Sequence, residues 1–209
     1  MSYNFGPGAI SDAIKRLIWI NTGAFILTSF VPSLTLYLGL APVAVFEEWW
    51  LWQPVTYLFL HGGLFHLLFN MLALWMFGTE LERLWGSTFF LKYYFVTGIG
   101  AGLTTLAVSL LPTGPGTQMY YSVTVGASGA VYGLLLAYAL YYPDRPIYLY
   151  LLFPIPAKYF VMIIGGIAFY SSASASGGGV AHIAHLGGLV FGAGVLWRWG
   201  WRPGMTWRR

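Results

Sequence analysis

TVGASGAVYG, residues 124–133, sets one serine, Ser128, among small residues in a chain whose apolar runs otherwise carry Leu, Val and aromatics. Small residues let two helices approach closely, so Ser128 could be packing material. A hydroxyl at this point could equally be a nucleophile. Both readings make the stretch a helix with a close neighbour. Gly129 and Gly133 stand four apart on one face, and Ser128 and Tyr132 stand four apart on another. What lies at the same depth decides between the readings.

The surrounding chain is built for lipid. Of its 209 residues, 58% are hydrophobic, 19% aromatic and only 8% charged. Soluble domains carry roughly 25% charged residues. The length suits about six spans of about 20 residues each, in one membrane-embedded unit over 1–209. A short N-terminal tail, about 1–13, and a basic C-terminal tail, about 200–209, flank it. The opening MSYNFGPGAISDAIKRL is polar and reads as a tail, not as a cleavable signal peptide. With no Cys in the chain, disulfides, thiolate catalysis and Cys-ligated metal are excluded.

The expected fold is all-α, a polytopic bundle of six transmembrane helices. The apolar runs are about Leu17–Leu38, Leu64–Phe77 (extending into GTELERLWG), Thr88–Leu111, Ala127–Tyr142, Ala157–Ala173 and Val180–Trp199. Between the first two lies Ala41–Gly63, aromatic and broken by two prolines. That composition fits a loop half-submerged at the headgroup level. LPTGPGTQ and SSASASGGG read as turns or loops.

Charge orients the bundle. With the N-terminus inside, all ten basic residues fall on the inner side: Lys15, Arg16, Arg83, Lys92, Arg145, Lys158, Arg198, Arg202, Arg208 and Arg209. The outer loops hold only Glu47 and Glu48. The positive-inside rule then places both termini in the cytoplasm. The net charge of +4 is a topology signal, since the basic residues form no patch for nucleic acid.

In that orientation, runs two, four and six start near the outer surface. Their first turns hold His66 and Asn70, then Ser128, then His182 and His185. Intramembrane polar groups usually face a bundle interior or a wet cavity. His185, Gly188 and Gly192 form a stripe at i, i+3 and i+7. If it meets the Gly129/Gly133 stripe, His185 comes beside Ser128. A serine hydroxyl needs such a base, and its oxyanion needs donors. His66, Asn70 and the Ser128 N–H are candidate donors, and Tyr132 can pack on the His185 ring. No acidic third member is evident, so the expectation is a Ser–His dyad. His182 is the rival base, lacking the Gly three residues on, and His61 reads as a loop residue near the cavity mouth. Glu82 with Arg83 reads as a buried cap or an ion pair at the cytoplasmic end.

HGGLFHLLFNM, GTELERLWGS, GASGAVYG and AHLGGLVFG, in this order, resemble the rhomboid family of intramembrane serine proteases. The family's H-x-x-x-N falls on His66 and Asn70, its G-x-S-G on Gly126, Ser128 and Gly129, and its A-H-x-x-G-x-x-x-G on Ala184, His185, Gly188 and Gly192. The resemblance covers about Trp52 to Gly194. It implies hydrolysis, in or near the membrane, of single-span proteins whose helix can unwind near small residues. It implies a cavity opening to the outer side of a cell membrane, a partly submerged first loop, and no metal or cofactor. Lipid and transmembrane substrates are the expected partners, and a monomer would suffice. Many members carry Trp-Arg in the first loop, whereas EEWWLWQ has no Arg, so anchoring of that loop is expected to differ.

Other readings fit the sequence less well. Catalytically inactive relatives serving as membrane chaperones or scaffolds lose Ser or His, and this chain keeps both. A channel or transporter would favour inverted repeats and midplane charges, and neither is seen. A zinc protease lacks its ligands, since there is no H-E-x-x-H.

Overall fold

A computed structural model of the protein describes residues 9–112, 115–149, 153–173 and 179–199. The first eight residues, the C-terminal tail with Arg202, Arg208 and Arg209, and most of SSASASGGG lie outside the described residues. The described chain is mostly helical, as expected.

Helix α1, Asp12–Phe30, takes in the last two residues of the expected tail. Ser11 caps it, its hydroxyl accepting from the Ile14 N–H at 3.2 Å. The apolar run read as continuous to Leu38 is broken at Val31, and α2, Ser33–Leu38, begins after Pro32. Proline lacks the N–H that would continue the ladder. The stretch expected to form a submerged loop then gives α3, Pro42–Glu47, and α4, Gln53–Thr56, each with proline in its first turn. A 3₁₀ turn, Tyr57–Phe59, follows.

Helix α5, Leu64–Ala73, passes through a π-helical segment, Leu74–Gly78, into α6, Thr79–Trp85. Gly86, at φ +79°, turns the chain into α7, Ser87–Ser109. A short α8, Pro115–Tyr120, covers part of the expected LPTGPGTQ turn. Helix α9 is Ser128–Tyr141, α10 is Ala157–Ala173 and α11 is Gly179–Arg198. Between α9 and α10 lies an antiparallel hairpin, β1 Pro146–Leu149 with β2 Phe153–Pro156, which the sequence reading did not anticipate. Ile147 pairs with Ile155 in its register.

Helix α7 is central, packing on both α9 and α11. Its glycines make this possible. A Cβ on Gly98 would fall 2.6 Å from the Leu58 side chain, and one on Gly100 would fall 2.2 Å from the Phe191 ring. Glu82 is buried and accepts from the hydroxyls of Ser11 and Ser87, the latter at 2.6 Å. Arg83 instead approaches Glu80 at 3.7 Å, so Glu82 is held by capping hydroxyls.

Trp19, Phe30, Phe65, Met162, Val190 and Trp197 turn large apolar side chains outward. Among the described residues, one helix, Leu64–Trp85 at 22 residues, is long and apolar enough by itself to cross a membrane. Helices α9 and α10 are apolar but shorter. Helix α7 is long enough, but Gly, Thr and Ser dilute its apolarity in exchange for close packing.

Candidate active site

Ser128 is the first residue of α9, and His185 lies two turns into α11. The Ser128 Oγ and His185 Nε2 are 2.9 Å apart, within hydrogen-bond distance. The contact depends on how closely the two helices approach. A Cβ on Gly188 would fall 2.0 Å from the Gly129 carbonyl oxygen, and one on Gly192 would fall 3.3 Å from the Gly133 Cα. Only glycine backbones tolerate that approach. On the far face of α9, a Cβ on Gly129 would meet Ala101 of α7 at 2.4 Å.

The imidazole is fixed from its flat side. Tyr132, one turn beyond Ser128, stacks on the His185 ring with centroids 4.1 Å apart and planes 5° from parallel. The His185 Nδ1 is buried and meets no hydrogen-bond partner among the described residues. If Nε2 is to accept the serine proton, Nδ1 must carry the ring's own hydrogen.

Gly126 brings the chain into the site with φ +132°, a conformation that favours glycine. Its N–H donates to the Tyr57 carbonyl at 2.9 Å. A Cβ there would fall 2.9 Å from both Cε1 and Nε2 of His66, so that ring lies against Gly126. The Gly62 N–H donates to the His66 Nδ1 at 3.3 Å. A neutral imidazole accepting at Nδ1 carries its proton on Nε2, the edge turned toward Gly126.

The structure thus gathers Ser128, His185, Tyr132, Gly126 and His66 in one place, with Gly129, Gly188 and Gly192 in the helix contact beneath. Asn70 is buried one turn below His66, and its amide donates to the His66 carbonyl at 2.8 Å rather than to Ser128. An amide has a second N–H to offer. His182 lies edge-on to His185, with centroids 5.8 Å apart. His61 is a loop residue, as expected, and is buried edge-on to His66 at 5.1 Å.

Two tyrosines escaped the sequence reading. The Tyr57 hydroxyl donates to the Gly98 carbonyl at 2.6 Å, and the Tyr93 hydroxyl donates to the Gly133 carbonyl at 2.8 Å. Both are fully buried; Tyr57 ties α7 to the 3₁₀ turn whose carbonyl holds Gly126, and Tyr93 ties α7 to the helix that Ser128 begins. Nothing in their spacing marks them, because each acts on a backbone oxygen.

Known proteins resemble this helical chain over most of its length. Residues 48–202 match the family model for the rhomboid domain. The chain is 34% identical over 146 residues to the mitochondrial rhomboid protein 1 of Saccharomyces cerevisiae, covering 68% of this chain and 39% of that protein. It is 35% identical over 147 residues to the rhomboid protease GluP of Bacillus subtilis, covering 69% of this chain and 25% of that one. Against the rhomboid protease AarA of Providencia stuartii it is 30% identical over 163 residues, covering 70% and 54%. The chain therefore belongs to the rhomboid family, whose members are membrane proteins. It spans about half or less of the length of these relatives.

Proposed function

We propose that this chain is an intramembrane serine endopeptidase that cleaves single-span membrane proteins in or near the bilayer through a Ser128–His185 dyad. The observation that carries the reading is the 2.9 Å contact between the Ser128 Oγ and the His185 Nε2. The names of the GluP and AarA relatives point the same way.

In this mechanism His185 Nε2 takes the Ser128 proton as Oγ attacks the scissile carbonyl. The negative charge that develops on the carbonyl oxygen is met by the Ser128 N–H, by His66 Nε2–H and by the free amide N–H of Asn70. Ser128 at the start of α9 adds the positive end of that helix. The imidazolium then protonates the departing amine, and the C–N bond breaks. Water hydrolyses the acyl-enzyme with His185 again as base, restoring the serine.

The reading includes a bundle of six spans forming one unit over 1–209, with both termini cytoplasmic and the pocket opening to the outer side of a cell membrane. Supporting it are the outward-facing aromatics and the one-sided basic residues. At 14 residues, α9 is about 21 Å long, short of the roughly 30 Å hydrocarbon layer. A helix that short can start below the outer surface, which would put Ser128 at the depth of a submerged cleavage site. Lipid and transmembrane substrates are the partners, and a monomer carries every group the mechanism uses. An inactive scaffold is not favoured, because the serine and histidine are both kept and in contact.

The test is cleavage of a single-span substrate co-reconstituted in liposomes. Wild-type protein should release two fragments, and Ser128→Ala should release none while running as a folded monodisperse protein. Undiminished cleavage by Ser128→Ala would remove the nucleophile.

A further inference from the structure

The run before Ser128 forms one wall of the site, and its anchors lie far back in the chain. Leu40 and Thr124 exchange two backbone bonds, at 2.9 and 2.8 Å. Gly39 allows the approach, since a Cβ there would fall 2.6 Å from Val123 Cγ1. On the other side, the Gly126 N–H is held by the Tyr57 carbonyl at 2.9 Å.

Residues 36–41 are themselves held by side chains. The last carbonyls of a helix have no partner within it. At the end of α2 these carbonyls are met from the α4 region. Trp52 Nε1 donates to the Tyr37 carbonyl at 2.9 Å, and the Thr56 hydroxyl donates to the Leu38 carbonyl at 2.6 Å. The Gln53 Nε2 donates to the carbonyls of Leu36 and Tyr37 at 3.2 and 3.3 Å. Its Oε1 accepts from the Ala41 N–H at 2.9 Å. Gln53 is 0% exposed. It follows Trp52 directly and ends the stretch EEWWLWQ, which has no Arg. A guanidinium offers donors only and would leave the Ala41 N–H unmet.

We propose that Gln53 is a positioning residue for catalysis, an uncharged amide clamp that fixes Leu40 from both sides and, through the Leu40–Thr124 bridge, the Gly126 wall beside Ser128. This inference rests on the Ser128–His185 reading. Leu40 lies between the two stretches that the amide grips. The bridge passes that restraint to Thr124. Two residues on, Gly126 faces the His66 ring, and Ser128 follows two residues later. Loss of the clamp lets the wall drift while the dyad's own helix contact, built on Gly129 and Gly188, stays intact. Substrate should then bind much as before and react more slowly. A misplacement of about 1 Å at a reacting centre costs on the order of 10²-fold in rate.

The test compares Gln53→Met, Gln53→Glu and Gln53→Arg in the full chain, reconstituted with a single-span substrate. Gln53→Met removes every polar contact at similar length. It should lower kcat about 10- to 100-fold and leave KM within about twofold. A buried carboxylic acid keeps its proton, so Gln53→Glu retains one acceptor and one donor and should recover much of that loss. Gln53→Arg restores donors alone and should rank below Gln53→Glu; should Gln53→Met not fold, the order of these two decides. A wild-type kcat in Gln53→Met, a loss confined to KM, or Gln53→Arg outperforming Gln53→Glu would overturn the clamp. Fluorophosphonate labelling of wild-type protein separates the two readings. Without that label, the dyad fails and the clamp with it. Labelled protein with an indifferent Gln53→Met defeats the clamp alone.

Discussion

Ser128 and the side chains around it are held by two regions of opposite construction. Beneath Ser128, α9 meets α11 through bare backbone, with Gly188 set on the Gly129 carbonyl and Gly192 on Gly133. Above it, residues 36–57 and 123–126 hold each other through hydrogen bonds to backbone groups, with no long helix involved. The lower region sets the distance between hydroxyl and imidazole. The upper region sets the place of Gly126, against which the His66 ring lies. A lesion below should therefore remove the dyad, and a lesion above should leave the dyad formed and misaim its surroundings.

The largest effect expected is from the dyad itself. His185→Ala should lower turnover by about 10⁴-fold or more, as loss of the base does in serine proteases. His182→Ala should keep measurable turnover, since the serine contact is made by His185. Rates for both variants on one reconstituted substrate check this, and a reversed order would move the base to His182.

Next comes the helix contact. Gly188→Ala puts a methyl 2.0 Å from a backbone oxygen that cannot swing away, so α9 and α11 must separate. Activity should drop below a detectable level and the thermal midpoint should fall, with overpacking costing about 1–3 kcal/mol. An active Gly188→Ala would mean that the helices are not held at this distance.

Lesions outside the α9–α11 contact should be milder. Asn70→Ala should slow turnover by up to about 10²–10³, the scale of a lost oxyanion donor. A smaller loss would leave His66 and the Ser128 N–H as the main donors, in keeping with the Asn70 bond to the His66 carbonyl. Tyr57→Phe should be the mildest. It deletes the bond to the Gly98 carbonyl and should cost about 1 kcal/mol of stability with the dyad still reactive. Thermal unfolding beside a turnover assay reads both effects.

The same division governs what the sequence discloses. Gly129, Gly133, Gly188 and Gly192 repeat with the period of a helix, so the lower contact can be read from spacing. Helix α10 keeps the expected bounds, and α9 and α11 fall within a residue of theirs. Gln53, Tyr57 and Tyr93 act on carbonyls and N–H groups that every residue possesses, so no pattern of side chains announces them. The π segment Leu74–Gly78 hides because its residues continue an apolar helical run. The hairpin hides for a related reason. Pro146, Pro154 and Pro156 suggest a linker, and an apolar stretch between two helices gives no turn signal of its own. Pro32 was visible, but apolar residues on both sides disguised the break between α1 and α2.

The most direct measurement needs no substrate. Detergent-solubilised protein is exposed to a fluorophosphonate probe, and the modified peptide is located by mass spectrometry. One adduct on Ser128 is expected, absent from Ser128→Ala and lost or severely slowed in His185→Ala. An unlabelled wild-type protein, or an adduct on another serine, would contradict an activated hydroxyl at the start of α9.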